Sequence, residues 1–296
     1  MFSKVKAAFT LMRWFHELVV MIPFIALYLS TYYFGESNIQ TPLSGILLLC
    51  FTVQLLIAAG CVLNDIRDRD IDAVNKPNTR IIGRIYSLKE SYLLFVLLMI
   101  LVLVSSITLT YFYFPDWWWI SISIVFFSFV YNLWLKRTPL FGNLLMAAMT
   151  ACIALVIKQY LAADLHALNS EKLKLLFDLF ALISFAIIVP RELSLDISDL
   201  QGDLSDGCYT LPAKIGEQKS KWVVVFLLFT FVISGLFIQY FYPNQRITFG
   251  VGTLLLIIYC IWLFRCKERI DYIRAGRFLW AIMIVMFLLA TYFTFV

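Results

Sequence analysis

Residues 43–63 read LSGILLLCFTVQLLIAAGCVL, 21 positions without one acidic or basic side chain. The hydrocarbon core of a bilayer takes about 20 mostly apolar helical residues, so this stretch is expected to cross a membrane. It runs directly into Asn64-Asp65-Ile66-Arg67-Asp68-Arg69-Asp70-Ile71-Asp72, where nine residues hold four carboxylates. An apolar span that ends on an acidic stripe puts that stripe at a membrane surface.

Eight further runs have the same apolar character, at 18–34, 91–114, 117–135, 140–161, 173–189, 222–242, 247–264 and 278–296. The whole chain agrees with them. Of its 296 residues 62% are hydrophobic and 15% charged, and mean hydropathy is +0.86, whereas soluble domains carry about 25% charged residues. A soluble enzyme, a disordered chain and a nucleic-acid-binding module all fit poorly, and no nucleic acid is expected as a partner. The expectation is an all-α polytopic membrane protein, with nine transmembrane helices around a central cavity and residues 1–296 forming one domain. Lys4, Lys6 and Arg13 ahead of the first run imitate a signal peptide, but no small-residue cleavage site follows, and the run is read as a retained span.

Alternating spans would put 20 of the 24 Lys and Arg residues on one side. The positive-inside rule then sets the N-terminus in the cytoplasm and the C-terminus outside, and gives the cytoplasmic face the polar stretches 64–90 and 191–221. The same rule accounts for the net charge of +5 without an anionic partner. Six cysteines without a Cys-x-x-Cys pair, and only two histidines, indicate neither a disulfide framework nor a zinc site.

The second polar stretch contains Arg191-Glu192-Leu193-Ser194-Leu195-Asp196-Ile197-Ser198-Asp199-Leu200-Gln201-Gly202-Asp203. Positions 64–72 and 191–206 together hold nine of the 19 acidic residues. Asp65, Asp68 and Asp72 stand at i, i+3, i+7, and so do Asp196, Asp199 and Asp203, so each set shares one helix face. Asn64 and Glu192 extend the two stripes by a turn, while Asp70 points elsewhere. Stacked like charges destabilise a helix unless cations sit on them. Oxygen ligands select a hard cation, and Mg²⁺ is usually held by one or two carboxylates with water and substrate phosphate completing its shell. Two facing stripes at one membrane surface therefore read as a two-sided Mg²⁺ clamp for a diphosphate.

Basic residues on the same side, among them Lys76, Arg80, Arg84, Lys136, Arg137 and Arg191, are candidates for phosphate oxygens not bound by metal. An allylic prenyl diphosphate suits such a site, because its tail dissolves among apolar helices while its head needs charge at the surface. Cations would stabilise the departing diphosphate, and a water-excluding cavity would protect the carbocation for an acceptor. Some of the 27 Phe, 15 Tyr and 8 Trp residues would line the tunnel.

With these residues in view, the chain resembles the UbiA-type intramembrane prenyltransferases. Their Asn-x-x-x-Asp-x-x-x-Asp signature matches Asn64, Asp68 and Asp72, followed by Asn75-Lys76-Pro77; their second, Asp-x-x-x-Asp, matches Asp199 and Asp203. Tyr131, Lys136, Pro139, Gly142-Asn143, Arg191-Glu192 and Thr210-Leu211-Pro212 are most similar to the branch that makes archaeal-type ether lipids. Leu195 departs from a Lys common in that branch, and Asn78-Thr79-Arg80 from an Arg-Pro phrase.

The resemblance implies a Mg²⁺-dependent enzyme that moves a prenyl group from a prenyl diphosphate to a lipophilic acceptor, a geranylgeranylglyceryl phosphate-type lipid, in contact with membrane lipids and with its active site facing the cytoplasm. Asn64, Asp65, Asp68, Asp72, Asp196, Asp199 and Asp203 would bind the metal. Asn64, Lys76, Arg80 and Arg191 would bind the diphosphate. Asp68, Asp72, Asp199, Asp203, Tyr131 and Lys136 would form the catalytic set, Tyr131 steadying the cation or positioning the acceptor. The competing readings are prenylation of an aromatic quinone precursor, a divalent-cation or organic-anion transporter, and a non-catalytic scaffold.

Overall fold

The computed structural model describes residues 2–14, 21, 25, 28, 29, 41–167 and 171–295. Among them regular structure is helical throughout, apart from one isolated bridge between Ile82 and Tyr86. The long helices are α2 (Leu43–Arg67), α4 (Leu88–Phe112), α5 (Trp117–Leu133), α6 (Phe141–Tyr160), α8 (Glu171–Ser205), α10 (Glu217–Phe241), α11 (Arg246–Arg265) and α12 (Arg269–Phe295). Short ones are α1 (Phe2–Leu11), α3 (Arg69–Asn75), α7 (Ala162–Ala167) and α9 (Leu211–Ile215). The eight long helices are each long and apolar enough to cross a membrane. They coincide with eight of the nine apolar runs; the run at 18–34 lies for the most part outside the described residues.

The burial pattern shows the solvent these helices require. On α4, Leu93, Leu97, Ile100, Leu103 and Ile107 are exposed while Ser105 and Ser106 are buried. On α10, Trp222, Phe226, Phe229, Leu236 and Phe237 are exposed. Water would not tolerate apolar stripes of that length, but hydrocarbon does, and helices satisfy every backbone group within the bilayer. The chain is a multi-pass membrane protein.

Two compact units divide the chain, Met1–Leu135 and Lys136–Val296. In the first, α2 packs against α4 and α5 and is buried on most of its circumference. Gly60 permits the α2–α5 approach, since a Cβ there would lie 3.1 Å from Ser128 Oγ. Ser87 and Glu90 form a capping box that starts α4, and Glu90 also accepts from Lys4 Nζ of α1 at 2.7 Å. One carboxylate thus closes a helix end and holds α1 beside it.

In the second unit α8 is the central element, packed by α6, α10 and α12. Phe180 of α8 stacks on Phe287 of α12 with ring centroids 4.3 Å apart. At about 1.5 Å per residue, the 35 residues of α8 extend about 52 Å, well beyond a hydrocarbon core of about 30 Å. The polar stretch 191–221 is expected to follow the span at 173–189 as a loop with its acids on one helix face, yet a single unbroken helix continues through Pro190 to Ser205. Proline removes one backbone donor. Ser194 donates to the Pro190 carbonyl at 2.8 Å and shares a 2.6 Å hydrogen bond with the Tyr259 hydroxyl of α11, so this segment is held by side chains inside the helix pack. The second acidic stripe is therefore carried on a rigid extension of a spanning helix.

Candidate active site

The first stripe sits where α2 gives way to α3. Asp68 caps both helices, but the backbone ladder runs on: Asp68 N–H donates to the Asn64 carbonyl at 2.9 Å, Asp72 to Asp68 at 2.7 Å, and Lys76 to Asp72 at 2.8 Å. Asn64, Asp68, Asp72 and Lys76 thus form a column with one turn between neighbours. Asn64 Nδ2 donates to Asp68 Oδ2 at 2.9 Å, and Lys76 Nζ pairs with Asp72 Oδ1 at 2.9 Å. Arg13 reaches Asp65 at 3.4 Å. Asp70, off the column, is exposed and pairs with Arg69, whose guanidinium holds its carboxyl below the usual range.

Burial pushes the Asp72 carboxyl above its usual range; Lys76 pulls it back, and the charges of Asp65 and Asp68 push it up again. Burial outweighs the Lys76 ion pair at this position. Arg80 closes the turn after the column, donating its N–H to the Lys76 carbonyl at 2.9 Å, and its Nε is buried without a hydrogen-bond partner. Arg84 donates to the Asn78 carbonyl and braces the loop instead.

On the second stripe each acid has its own partner. Arg191 pairs with Glu192, and Arg191 Nε is buried without a hydrogen-bond partner. Asn143 Nδ2 of α6 donates to Asp196 Oδ2 at 2.7 Å. Arg269, the first residue of α12, donates from Nε and Nη2 to Asp199 Oδ1 at 3.0 and 2.9 Å. Thr210 Oγ1 donates to the buried Asp203 at 2.9 Å. Gly207, with φ +69°, then turns the chain after α8. Arg137 pairs with Asp206 at 2.7 Å, and its carbonyl accepts from Tyr209 N–H at 3.0 Å, which fixes the segment carrying the half-buried Lys136 to the end of the stripe. Tyr131 lies half-buried on the last turn of α5, in the first unit.

The structure thus joins Asn64 to Asp68 and Lys76 to Asp72 in one unit, and surrounds Asp196, Asp199 and Asp203 with donors in the other. Among the described residues no three His, Cys, Asp or Glu side chains are gathered as metal ligands. The physical reason is visible in the contacts, since each acid turns towards a different amide, hydroxyl or cation. The donor set is still oxygen-only, with a desolvated Asp72 beside like charges, and such a set fits a hard divalent cation.

Three partners of the acids, Arg13, Arg269 and Thr210, were not among the candidate ligands read from the sequence, nor was Asn143. Asn143 and Thr210 stand inside phrases that carry the family resemblance, which is the signal that could have found them. Arg13 and Arg269 are marked only as basic residues of the cytoplasmic side, and pairing across 52 and 70 residues leaves no local pattern.

Residues 20–291 match the model of the UbiA prenyltransferase family. The chain belongs to the UbiA prenyltransferase family. Similar to this UbiA-family enzyme is the digeranylgeranylglyceryl phosphate synthase of Methanoregula boonei, 30% identical over 218 residues that cover 72% of each chain. The synthase of the same name from Methanococcus aeolicus is 31% identical over 231 residues, 77% of this chain and 75% of that one. Among solved structures, one described as giving structural and mechanistic insights into digeranylgeranylglyceryl phosphate synthase in membranes superposes with a TM-score of 0.64 at 24% identity, covering 99% of both chains. A UbiA homologue from Archaeoglobus fulgidus bound to DMAPP and Mg²⁺ superposes with a TM-score of 0.58 at 16% identity, covering 96% of this chain and 99% of that one. The family model extends through both compact units, and the enzyme is an intramembrane prenyltransferase.

Proposed function

We propose that this UbiA prenyltransferase transfers a prenyl group from an allylic prenyl diphosphate to a geranylgeranylglyceryl phosphate-type lipid, in a Mg²⁺-dependent reaction at the cytoplasmic rim of one membrane domain. The observation that carries this reading is the pair of carboxylate triads with the same i, i+3, i+7 spacing, each at the polar end of a membrane-spanning helix. The names of the relatives support the acceptor, as do the phrases around Tyr131 and Arg191.

In this reading Asn64, Asp65, Asp68 and Asp72 form one jaw of the clamp and Asp196, Asp199 and Asp203 the other. Bound Mg²⁺ would supply the charge that turns diphosphate into a good leaving group. Lys76, Arg80, Lys136 and Arg191 hold the remaining phosphate oxygens by charge-assisted hydrogen bonds. The bond from C1 of the donor to oxygen breaks with its electron pair going to diphosphate. A new C–O bond forms to the acceptor hydroxyl, whose proton leaves to the released diphosphate or to water. Tyr131 steadies positive charge at C1 or orients the acceptor, and the apolar helices exclude water from the allylic carbon.

The test incubates detergent-solubilised protein with Mg²⁺, prenyl diphosphates of several lengths, and both geranylgeranylglyceryl phosphate and hydroxybenzoate acceptors. A product mass equal to the glyceryl lipid plus one prenyl group is expected. Prenylated hydroxybenzoate alone would overturn the acceptor, and donor left intact with every acceptor would overturn the reaction.

A further inference from the structure

The phosphate-binding candidates drawn from the sequence all precede or flank the stripes, and none comes from α12. The cation on Asp199 is nevertheless Arg269, which spends two guanidinium N–H groups on one carboxylate oxygen, the same oxygen that accepts from Ser198 Oγ at 3.3 Å. Both side chains stay about one-third exposed, at 31% and 34%. The pair is open to solvent, so it is screened and exchangeable rather than locked in the core.

Its position is set by close packing further along the same two helices. A Cβ on Gly276, seven residues after Arg269, would lie 3.3 Å from Leu195 Cδ2 and 3.8 Å from Arg191 Cγ. Leu195 is one turn before Asp199. The missing side chain at Gly276 brings the α12 backbone against α8 and so aims the first residue of α12 at Asp199. Arg269 is held over the stripe by the helix pair.

We propose that Arg269 switches partners, neutralising Asp199 in the empty enzyme and moving to a diphosphate oxygen when the metal-bound donor arrives. The inference rests on the diphosphate reading given above. The two N–H donors on Asp199 Oδ1 use the lone pairs of that oxygen, so a cation bound through Oδ1 has to displace them. The guanidinium that is released is a fork suited to phosphate, and it is already within a side chain's reach of the same carboxylate. In the exchange neither charge is left unpaired. Metal binding alone has to displace Arg269, whereas metal and diphosphate together give it a new partner, so the two ligands assist one another.

The experiment uses the purified full chain in detergent, with wild type, Arg269→Gln and Arg269→Lys compared. Mn²⁺ binding without diphosphate is read by electron paramagnetic resonance of the free ion. Binding of geranylgeranyl diphosphate in saturating Mg²⁺ is read by calorimetry. Arg269→Gln is expected to bind Mn²⁺ about fivefold more tightly or better, and the diphosphate about tenfold more weakly, shifts within the usual range of coupling between sites. Arg269→Lys should lie between them in both. Loss of both affinities together would mean that Arg269 only supports the fold, and no change in either would make it a bystander; each result overturns the inference. If the Gln variant does not fold, the Lys variant decides: weakened diphosphate binding with Mn²⁺ binding undiminished supports the switch, and any other pattern overturns it. Wild type that fails to bind geranylgeranyl diphosphate in Mg²⁺ would overturn the diphosphate reading itself.

Discussion

Asn143 donates through Nδ2 to Asp196 Oδ2 at 2.7 Å, joining the first turn of α6 to the first carboxylate of the second stripe. Asn143 is 6% exposed, so the amide meets the acid away from bulk water. Replacing Asn143 with Leu keeps the volume and removes the donor. Leaving one partner of a buried hydrogen bond unsatisfied costs about 1–3 kcal/mol, so a clear drop in melting temperature in detergent is expected. Asn143→Asp should be less stable still without Mg²⁺ and recover partly when Mg²⁺ is added. Melting curves for Asn143→Leu that coincide with wild type would show that the bond contributes nothing.

Asp68→Asn and Asp199→Asn each remove one charge from a different stripe. Each is expected to reduce turnover by on the order of 100-fold, the range seen when groups around a functional metal are lost. The double variant decides whether both stripes serve one leaving group. Groups that act on the same ligand are non-additive, so the double variant should lose far less than the product of the two single losses. Full multiplication of the losses would assign the stripes to independent tasks. Chelation of the wild type by EDTA should abolish turnover, and Mg²⁺ in excess should restore it.

How much of this was legible in the sequence depends on the range of the contacts. Apolar run length located eight helices because a bilayer imposes its thickness on each of them separately, but it missed the polar ends of two: α8 continues to Ser205, past the run at 173–189, and α12 begins at Arg269, ahead of the run at 278–296. The i, i+3, i+7 spacing likewise marked both stripes, since it is a property of one helix. The continuation of α8 past Pro190 was not legible, because proline ordinarily argues for a helix end and the Ser194–Tyr259 contact that accompanies the continuation joins residues 65 apart. The Arg269–Asp199 pair was hidden for the same reason, and the glycine that registers it, Gly276, lies between the runs at 247–264 and 278–296, in a basic stretch where no helix packing is expected.

Lys76 and Asp72 make a pH prediction. Burial raises the Asp72 carboxyl above its ordinary range and Lys76 opposes that shift. Only the carboxylate can ligate a cation, so a proton competes with Mg²⁺, and apparent Mg²⁺ affinity should fall as pH drops through this raised value. Lys76→Met removes the opposing charge, pushes the carboxyl higher still, and should move the fall in affinity to higher pH. The Mg²⁺ concentration for half-maximal activity, measured against pH in both proteins, checks this. Superimposable profiles would mean that Lys76 does not act on Asp72.

Two glycines in the second unit separate helix packing from the chemistry. A Cβ on Gly235 of α10 would lie 2.6 Å from Phe249 Cδ1 of α11, against a ring that has little freedom to yield. A Cβ on Gly252 of α11 would lie 2.7 Å from Met286 Cε and Sδ of α12, at the flexible end of an unbranched side chain. Small residues let membrane helices approach closely, and an added methyl group acts by separating them. Gly235→Ala should therefore destabilise by about 1–3 kcal/mol, the usual range for overpacking, while Gly252→Ala costs less because methionine can repack. Neither glycine touches an acidic stripe, so Mn²⁺ affinity should stay at the wild-type value in the folded fraction of both variants. Thermal melts in detergent rank the two substitutions. A larger loss for Gly252→Ala would show that the α11–α12 contact, rather than the Phe249 ring, is the stiffer part of this pack.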